Sequence, residues 1–147
     1  MATLRRWMFA RHSNPWSAWS RWASAPLVLV PIWTRRPRDA ALVAGWLALN
    51  PVIFPEPADN RAWATRAILG EELWSASKPR DAAAIVTAVT SAAALVAVIS
   101  SARRRGVPAA AACACQMALT LVYWELMARY WDRYRMSAAA SACSTGS

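Results

Sequence analysis

Residues 47–81 read LALNPVIFPEPADNRAWATRAILGEELWSASKPRD, and they form the longest polar interval between apolar runs in the chain. One pair of apolar segments lies on either side of this interval. It also holds five of the eight acidic residues: Glu56, Asp59, Glu71, Glu72 and Asp81. The sequence therefore predicts a helical hairpin, a connector and a second helical hairpin.

The composition favours lipid over water as the surroundings of these hairpins. Hydrophobic residues make up 57% of the 147 residues and charged residues only 17%, which is more apolar material than a core of this size can hide. The net charge of +9 comes largely from arginines at the ends of apolar runs, as at Arg35–Arg36 and Arg103–Arg105. This placement is typical of membrane topology. We therefore expect a lipid bilayer as partner and no nucleic acid.

The predicted fold class is an all-α integral membrane protein with a single domain over residues 1–136. It comprises two helical hairpins, or about four transmembrane or partly re-entrant helices, joined by an interfacial amphipathic helix. The segments are a helix over 16–34 that Pro26 and Pro31 kink, a short helix over 40–54, the interfacial helix over 61–75, two helices over 82–102 and 107–135, and a disordered tail over 137–147. The 40–54 segment is about 22 Å long, short of a hydrocarbon core of about 30 Å. The first hairpin therefore either spans the membrane or is re-entrant.

The predicted connector helix 61–75 begins after Asp59 or Asn60, either of which is a suitable N-cap. On one of its faces, residues recur at spacings of four, three and four: Trp63, Ala67, Gly70 and Trp74. Thr65 and Glu72 are expected to face away from that row. The pattern predicts a helix that lies flat in the membrane interface.

The second hairpin carries two rows of alanine at a spacing of four. The rows are Ala84, Ala88 and Ala92 on the first helix and Ala110, Ala114 and Ala118 on the second. Small residues allow close approach of membrane helices. We expect a tight antiparallel pair in which these rows form the contact.

Tryptophans and basic residues predict the orientation of the chain. The expected interface anchors are Trp16, Trp19, Trp22, Trp63, Trp74 and Trp131. The side of the termini and connector has ten basic residues: Arg5, Arg6, Arg11, Arg61, Arg66, Lys78, Arg80, Arg129, Arg133 and Arg135. The two tight turns have six. This difference favours cytoplasmic termini in a multi-pass protein of the cell membrane, although three adjacent arginines at 103–105 argue the other way.

The sequence contains few groups that point to chemistry. Cys113 and Cys115 lie about 200° apart around a helix and cannot share a metal or a disulfide. His12 is the single histidine and has no second ligand near it in sequence, so no metal, no cofactor and no catalytic residue is predicted. The candidate polar cluster is Arg11, His12, Asn14, Asn50, Asn60, Glu71 and Glu72.

Three further polar features each leave more than one reading open. Glu71 and Glu72, with Arg66 nearby, are either acid/base groups or a solvated helix face. Asn50 before Pro51 is expected to bond local backbone, and a ligand-binding role is the alternative. Arg21 and Glu125 lie about 9 and 12 Å from the predicted midplane, and charges so deep are normally paired. We predict a mutual ion pair, with snorkelling of Arg21 and an Arg129–Glu125 pair as the alternative.

Three motif blocks resemble an uncharacterised family of small multi-span membrane proteins of bacteria and archaea. They are RHSNPWS at 11–17, LNP at 49–51 with FPEP at 54–57, and Asn60 with WA at 63–64 and LGE at 69–71. The resemblance implies no known activity. It implies that the three blocks belong together, at one face of the protein.

The leading functional hypothesis is a non-catalytic membrane protein that binds a lipid or a partner, including a role as accessory subunit of a larger membrane complex with other membrane subunits. The alternative is a membrane-embedded enzyme that acts on a lipid-like substrate at one face, with His12, Glu71 and Glu72 as its polar centre.

Overall fold

The computed structural model describes residues 13–77 and 80–145, and the regular structure of these residues is all helical. The elements are α1 (Pro15–Ser24), a 3-10 turn (Ala25–Val28), α2 (Leu29–Thr34), α3 (Pro37–Ile53), α4 (Trp63–Ser77), α5 (Ala82–Ala102) and α6 (Gly106–Thr145). Since α1, the turn and α2 continue one another in helical backbone, the described residues form five helical rods. The all-helical class is confirmed, with five helical rods among the described residues.

The first hairpin begins at a cap and is interrupted at a proline. The Asn14 side chain accepts hydrogen bonds from the backbone N–H groups of Trp16, at 2.9 Å, and Ser17, at 3.4 Å, which satisfies free donors at the start of α1. The predicted break at Pro26 takes the form of the 3-10 turn. α3 begins at Pro37, one turn earlier than expected, because proline suits the first helical position. At about 25 Å, it remains short for a span.

The second hairpin closes through a tight turn of arginines. Asp81 caps α5 by accepting hydrogen bonds from Ala83 N–H at 3.0 Å and Ala84 N–H at 3.2 Å. At the C-terminal end of α5, Arg104 has a φ of 55°. The Arg104 N–H donates to the Ser101 carbonyl, and the Arg105 N–H donates to the Ser100 carbonyl. These bonds form a Schellman motif in which arginine stands where glycine is usual.

The α5–α6 contact is extensive, but it does not use the predicted alanine rows. Ala88, Ala92, Ala110, Ala114 and Ala118 are exposed. The buried small residues are instead Ala83, Ala97, Ser100 and Ser101 on α5 and Ala109 and Cys113 on α6. Successive residues lie about 100° apart around an α-helix, so the buried positions and the predicted alanine rows lie on different faces of each helix.

α6 is longer than predicted, because it continues through the segment expected to be a disordered tail. Residues 137–145 are helical, and the whole helix is about 60 Å long. The local sequence explains why this segment is helical. Ala138–Ala140 have the highest intrinsic helix propensity, and Ser141 Oγ donates to the Ser137 carbonyl at 3.0 Å within the helix.

α4 is buried on more than one side, whereas the sequence predicted a helix that lies flat in the membrane interface with one face exposed to water. Its residues Ala64, Thr65, Ala67, Ile68 and Gly70 are all buried. Thr65, which the sequence placed on the outward face, is 0% exposed. The reason is that small side chains on two sides of α4 admit α1 on one side and α6 on the other. A Cβ added to Gly70 would overlap the carbonyl oxygen of Met127 in α6.

The two tight turns lie together at one end of the molecule. Arg35 Nη2 donates to the Ala102 carbonyl at 3.2 Å, and the Trp33 ring lies 3.8 Å from the position a Cβ would take at Gly106. Both turns are rich in arginine. The start of α1, the end of α3 and α4 are joined at the opposite end, where the candidate site lies.

Candidate functional site

The three motif segments meet at the start of α1. Asn14 Nδ2 donates to the Pro55 carbonyl at 2.9 Å, and Ser17 Oγ donates to Asn50 Oδ1 at 2.8 Å. Thr65 Oγ1 donates to the Ser13 carbonyl at 2.7 Å. We call these residues the motif junction. It links the N-terminal, α3 and α4 blocks directly.

The buried amide of Asn50 bonds to another helix, not to local backbone as predicted. Besides accepting from Ser17, it donates through Nδ2 to Ser20 Oγ at 2.7 Å. One face of α1 continues this contact, because Trp46 Nε1 donates to Ser24 Oγ at 2.8 Å. The three serines lie three and four residues apart and therefore share a face. Asn50 is 0% exposed, and its bonds make it a link between α1 and α3.

Four tryptophans pack against one another between α1, α4 and α6. Trp19 stacks on Trp63 with ring centroids 5.8 Å apart, and it meets Trp22 edge to face at 5.6 Å. Trp124 contacts Trp19 at 5.7 Å and Trp63 at 5.8 Å, both edge to face. Such pairs stabilise beyond the area they bury. Three of the predicted interface anchors thus form a partly exposed cluster with Trp124, which the sequence did not single out; Trp19 is 39% exposed and Trp124 is 7% exposed.

The other predicted anchors have different surroundings. Trp16 is the most exposed of them, at 73%. Trp74 Nε1 donates to the Asp81 carboxylate at 3.2 Å, and its ring meets that of Tyr123 edge to face. Trp131 Nε1 is buried and has no hydrogen-bond partner among the residues that the structure describes. Exposure at Trp16 is the pattern expected of an anchor in a membrane interface.

The predicted partnership of Arg21 with Glu125 is replaced by two other arrangements. Glu125 accepts from Arg129 Nε at 2.7 Å and from Trp63 Nε1 at 2.8 Å, so the alternative i,i+4 pair forms. Arg21 lies close enough to Glu71 for the two charges to interact, and Arg21 Nε donates to the Ser17 carbonyl at 3.2 Å. The sequence estimated depth along each helix, but it contained no information on where α4 would enter between α1 and α6.

Arg21 and Glu71 line a cavity of about 250 Å³ between α1, α4 and α6. Gln116 and Thr120 of α6 contribute polar groups to it. Its apolar lining consists of Ala18, Trp22, Ala25, Ile68 and Trp124. Burial raises the pKa of Glu71, while a hydrogen bond from Tyr123 and the charge of Arg21 oppose that rise. This Arg21–Glu71 cavity places opposite charges from two helices around one space.

Of the remaining predicted polar residues, Asn60 and Glu72 do not line the cavity. Asn60 is exposed and lines an open surface depression with Arg66 and Asp132, which form an ion pair of 2.6 Å. Glu72 is half-buried. Arg11 and His12 lie outside the described residues. Within residues 13–77 and 80–145, no group of three His, Cys, Asp or Glu side chains is placed to hold a metal ion.

Comparison with known sequences adds a family to this geometry. Residues 3–145 match DUF6653, which is described as a family of unknown function. The chain belongs to the DUF6653 family. No curated protein and no solved structure matches it. Because the match extends over nearly the whole chain, the motif junction and the cavity of this DUF6653 protein both lie within the family region.

Sequence reasoning missed the contribution of α6 to the site. Gln116, Thr120 and Tyr123 follow one another at spacings of four and three, which places them on one face of a helix. That polar face in an otherwise apolar segment was a readable signal. Its partners on α1 and α4 were not, because they depend on how the rods of this DUF6653 protein pack.

Proposed function

We propose that this protein is an integral membrane protein that holds both hairpins in the bilayer and binds a lipid at one membrane face. α5 and the Gly106–Ser141 part of α6 are long and apolar enough to cross a membrane, with mean hydropathies of 2.3 and 1.5. Only 11% of the most apolar window of each is buried in protein. A core helix of a soluble protein would be mostly buried, so this exposure favours lipid as the surroundings.

The first hairpin has similar outward surfaces. Large apolar side chains are exposed on α2, α3 and the 3-10 turn between α1 and α2: Leu27, Val28, Val30, Trp33, Leu42, Leu47, Leu49, Val52 and Ile53. In water such a surface would be costly. We infer that α1–α3 enter the same bilayer, and that the short α3 is accommodated by local thinning or by a re-entrant path.

The orientation follows from the distribution of charge. The arginine-rich turns at 35–38 and 103–105 lie at one end, and the motif junction lies at the other. Along the sequence, the termini and the connector carry ten basic residues and the two turns carry six, and this count supports cytoplasmic termini. In this arrangement, the motif junction and α4 face the cytoplasmic half of the membrane.

The Arg21–Glu71 cavity is the observation that carries lipid binding. Charged side chains among membrane helices are costly and usually mark a functional site. The polar groups of Asn14, Asn50 and Thr65 are satisfied within the fold, so they act in its construction. The cavity combines two charges, two neutral polar groups and aromatic walls, which is the mixture that binding sites use to orient a ligand.

The test of this proposal is extraction followed by lipid analysis. Alkaline carbonate should leave the protein in the membrane pellet, and protein purified in mild detergent should retain lipid detectable by mass spectrometry. Glu71→Gln should reduce the lipid retained per protein. The matched control, Glu72→Gln, removes the same charge outside the cavity and should retain lipid as the wild type does. Release by carbonate, or equal retention in both variants, would contradict the proposal.

An enzyme that acts on a lipid-like substrate is the second candidate, and Glu71 is the observation in its favour. A carboxyl whose pKa is raised by burial, at the wall of a cavity, is suited to general acid/base chemistry. Incubation of the purified protein with a lipid extract would test it. A new product that Glu71→Gln abolishes and Glu72→Gln does not would support the enzyme over the binding protein.

A further inference from the structure

We infer that the Arg21–Glu71 cavity accepts a zwitterionic headgroup that carries both a phosphate and a primary ammonium group, as in phosphatidylethanolamine. The inference rests on the proposed lipid-binding function and specifies the class of headgroup. It follows from the signs of the two charges, their origin on different helices and the volume of the cavity that both line.

The two charges are complementary to the two ends of such a headgroup. Arg21 lines the cavity from α1, where its Nε donates to the Ser17 carbonyl at 3.2 Å. A guanidinium has five N–H donors in all, in a geometry that matches phosphate oxygens. Glu71 enters from α4, and a carboxylate accepts hydrogen bonds from the N–H groups of an ammonium. Because both line one cavity, a ligand with a single charge would meet a group of its own sign there.

α6 provides the neutral part of the site. Gln116 Nε2 lies 3.3 Å from Thr120 Oγ1, and the Thr120 hydroxyl donates to the Gln116 carbonyl at 2.9 Å. These contacts hold the two side chains on the cavity wall. Trp124 adds an aromatic wall, which is favourable beside a cation.

The volume sets a limit on what enters. About 250 Å³ is below the roughly 300–1,000 Å³ of pockets that enclose a drug-sized ligand. The cavity therefore suits a headgroup, while the acyl chains of a lipid would remain in the bilayer against the exposed apolar faces of the hairpins.

The experiment compares lipids that differ in one group. Purified protein in detergent micelles receives phosphatidylethanolamine, phosphatidylcholine or phosphatidylglycerol with the same acyl chains, and the thermal midpoint is measured against lipid concentration. Phosphatidylethanolamine should give the largest upward shift, because choline lacks N–H donors and glycerol lacks the positive charge. Soluble glycerophosphoethanolamine, added alone, distinguishes a free zwitterion from a membrane lipid as the source.

Variants assign the preference to the cavity. Glu71→Gln should raise the half-saturating concentration of phosphatidylethanolamine by about tenfold or more, which is the loss expected for one hydrogen bond to a charged group. Glu71→Gln should not raise the half-saturating concentration of phosphatidylglycerol. Arg21→Met should weaken binding of both lipids. The controls are Glu72→Gln and Arg103→Met, which remove the same charges outside the cavity and should behave as the wild type.

The outcomes separate this inference from the function on which it rests. Equal shifts with all three lipids would overturn the inference and leave lipid binding intact, as would a preference for phosphatidylethanolamine that survives in Glu71→Gln. If no lipid shifts the midpoint and none co-purifies, the proposed function fails as well. An equal shift with glycerophosphoethanolamine would support the same headgroup chemistry with a soluble ligand as its source.

Discussion

Gly70 of α4 lies directly against the backbone of Met127 in α6. A Cβ at position 70 would overlap the Met127 carbonyl oxygen, and it would lie 2.7 Å from the carbonyl carbon. Met127 is itself only 1% exposed, so α6 has no room to retreat at this point. The contact fixes how deeply α4 enters the fold, and with it the position of Glu71 one residue later.

We therefore expect Gly70→Ala to destabilise the protein by about 1–3 kcal/mol or more, as overpacking does. The change should also disturb the Arg21–Glu71 cavity. Gly45→Ala is the matched control, since a Cβ there would meet nothing within 4 Å. Gly45 lies in the interior of α3, where alanine should raise the free energy of unfolding by up to about 1 kcal/mol. Thermal unfolding in detergent measures both changes. Equal midpoints for the two variants would contradict the close approach of α4 and α6.

Asn50 should be required for the docking of α3 on α1. Asn50→Leu removes the acceptor of the buried Ser17 hydroxyl and the donor to Ser20 Oγ, and a buried polar group left without its partner costs about 1–3 kcal/mol. Asn60→Leu changes an exposed asparagine and should alter stability by no more than about 0.5 kcal/mol. Chemical or thermal unfolding of the two variants in the same detergent provides the comparison. A neutral Asn50→Leu would show that the hydrogen bonds contribute little.

The contact face of the second hairpin can be tested with leucine substitutions. Ala97→Leu and Ala109→Leu place a large side chain at buried positions and should each cost about 1–3 kcal/mol. Ala88→Leu and Ala114→Leu, at the exposed positions that the alanine rows singled out, should be nearly neutral. Thermal midpoints in detergent measure the stability of the four variants. Lower midpoints for Ala88→Leu and Ala114→Leu than for Ala97→Leu and Ala109→Leu would indicate that the alanine rows form the contact.

Glu71 should make stability depend on pH in a defined direction. Its pKa in the folded protein is raised above the ordinary value of 4.5, so the folded state holds this proton more tightly than the unfolded state does. The unfolding free energy contributed by Glu71 is therefore fully present below pH 4.5, and it is lost as the pH rises from 4.5 through the folded pKa.

Unfolding measured over a pH series would detect this loss. Glu71→Gln should remove that part of the pH dependence, because glutamine resembles the protonated carboxyl and does not titrate. Glu72→Gln should retain it. Identical pH profiles for the wild type and Glu71→Gln would contradict a raised pKa.

The proposed orientation places Ser77 and Arg104 on opposite sides of the membrane. In a chain without its native cysteines, Ser77→Cys should react with a membrane-impermeant maleimide only when the cytoplasmic face is accessible. Arg104→Cys should react from the external face. Thr65→Cys should react slowly from either face, because Thr65 is buried. Labelling of Ser77→Cys and Arg104→Cys from the same face would rule out an α5 that spans the membrane.

The sequence by itself determined the order of the helices and the bounds of α5. Residues 82–102 were predicted and found as one helix, because the Asp81 cap and the arginine turn act within a few residues of its ends. Pro26 located the break in the first rod for the same local reason. The motif blocks also indicated which parts of the chain belong together, and Asn14, Ser17 and Thr65 join them.

The tertiary structure decided which faces are buried and which charges meet. An alanine row looks the same whether it faces lipid or protein, so the path of α6 along α5 selected Ala97 and Ala109 over Ala88 and Ala114. Likewise, Arg21 faces Glu71 rather than Glu125 because the small residues of α4 allow that helix to enter between α1 and α6. Burial depends on neighbours that are distant in sequence, and no local pattern of residues specifies them.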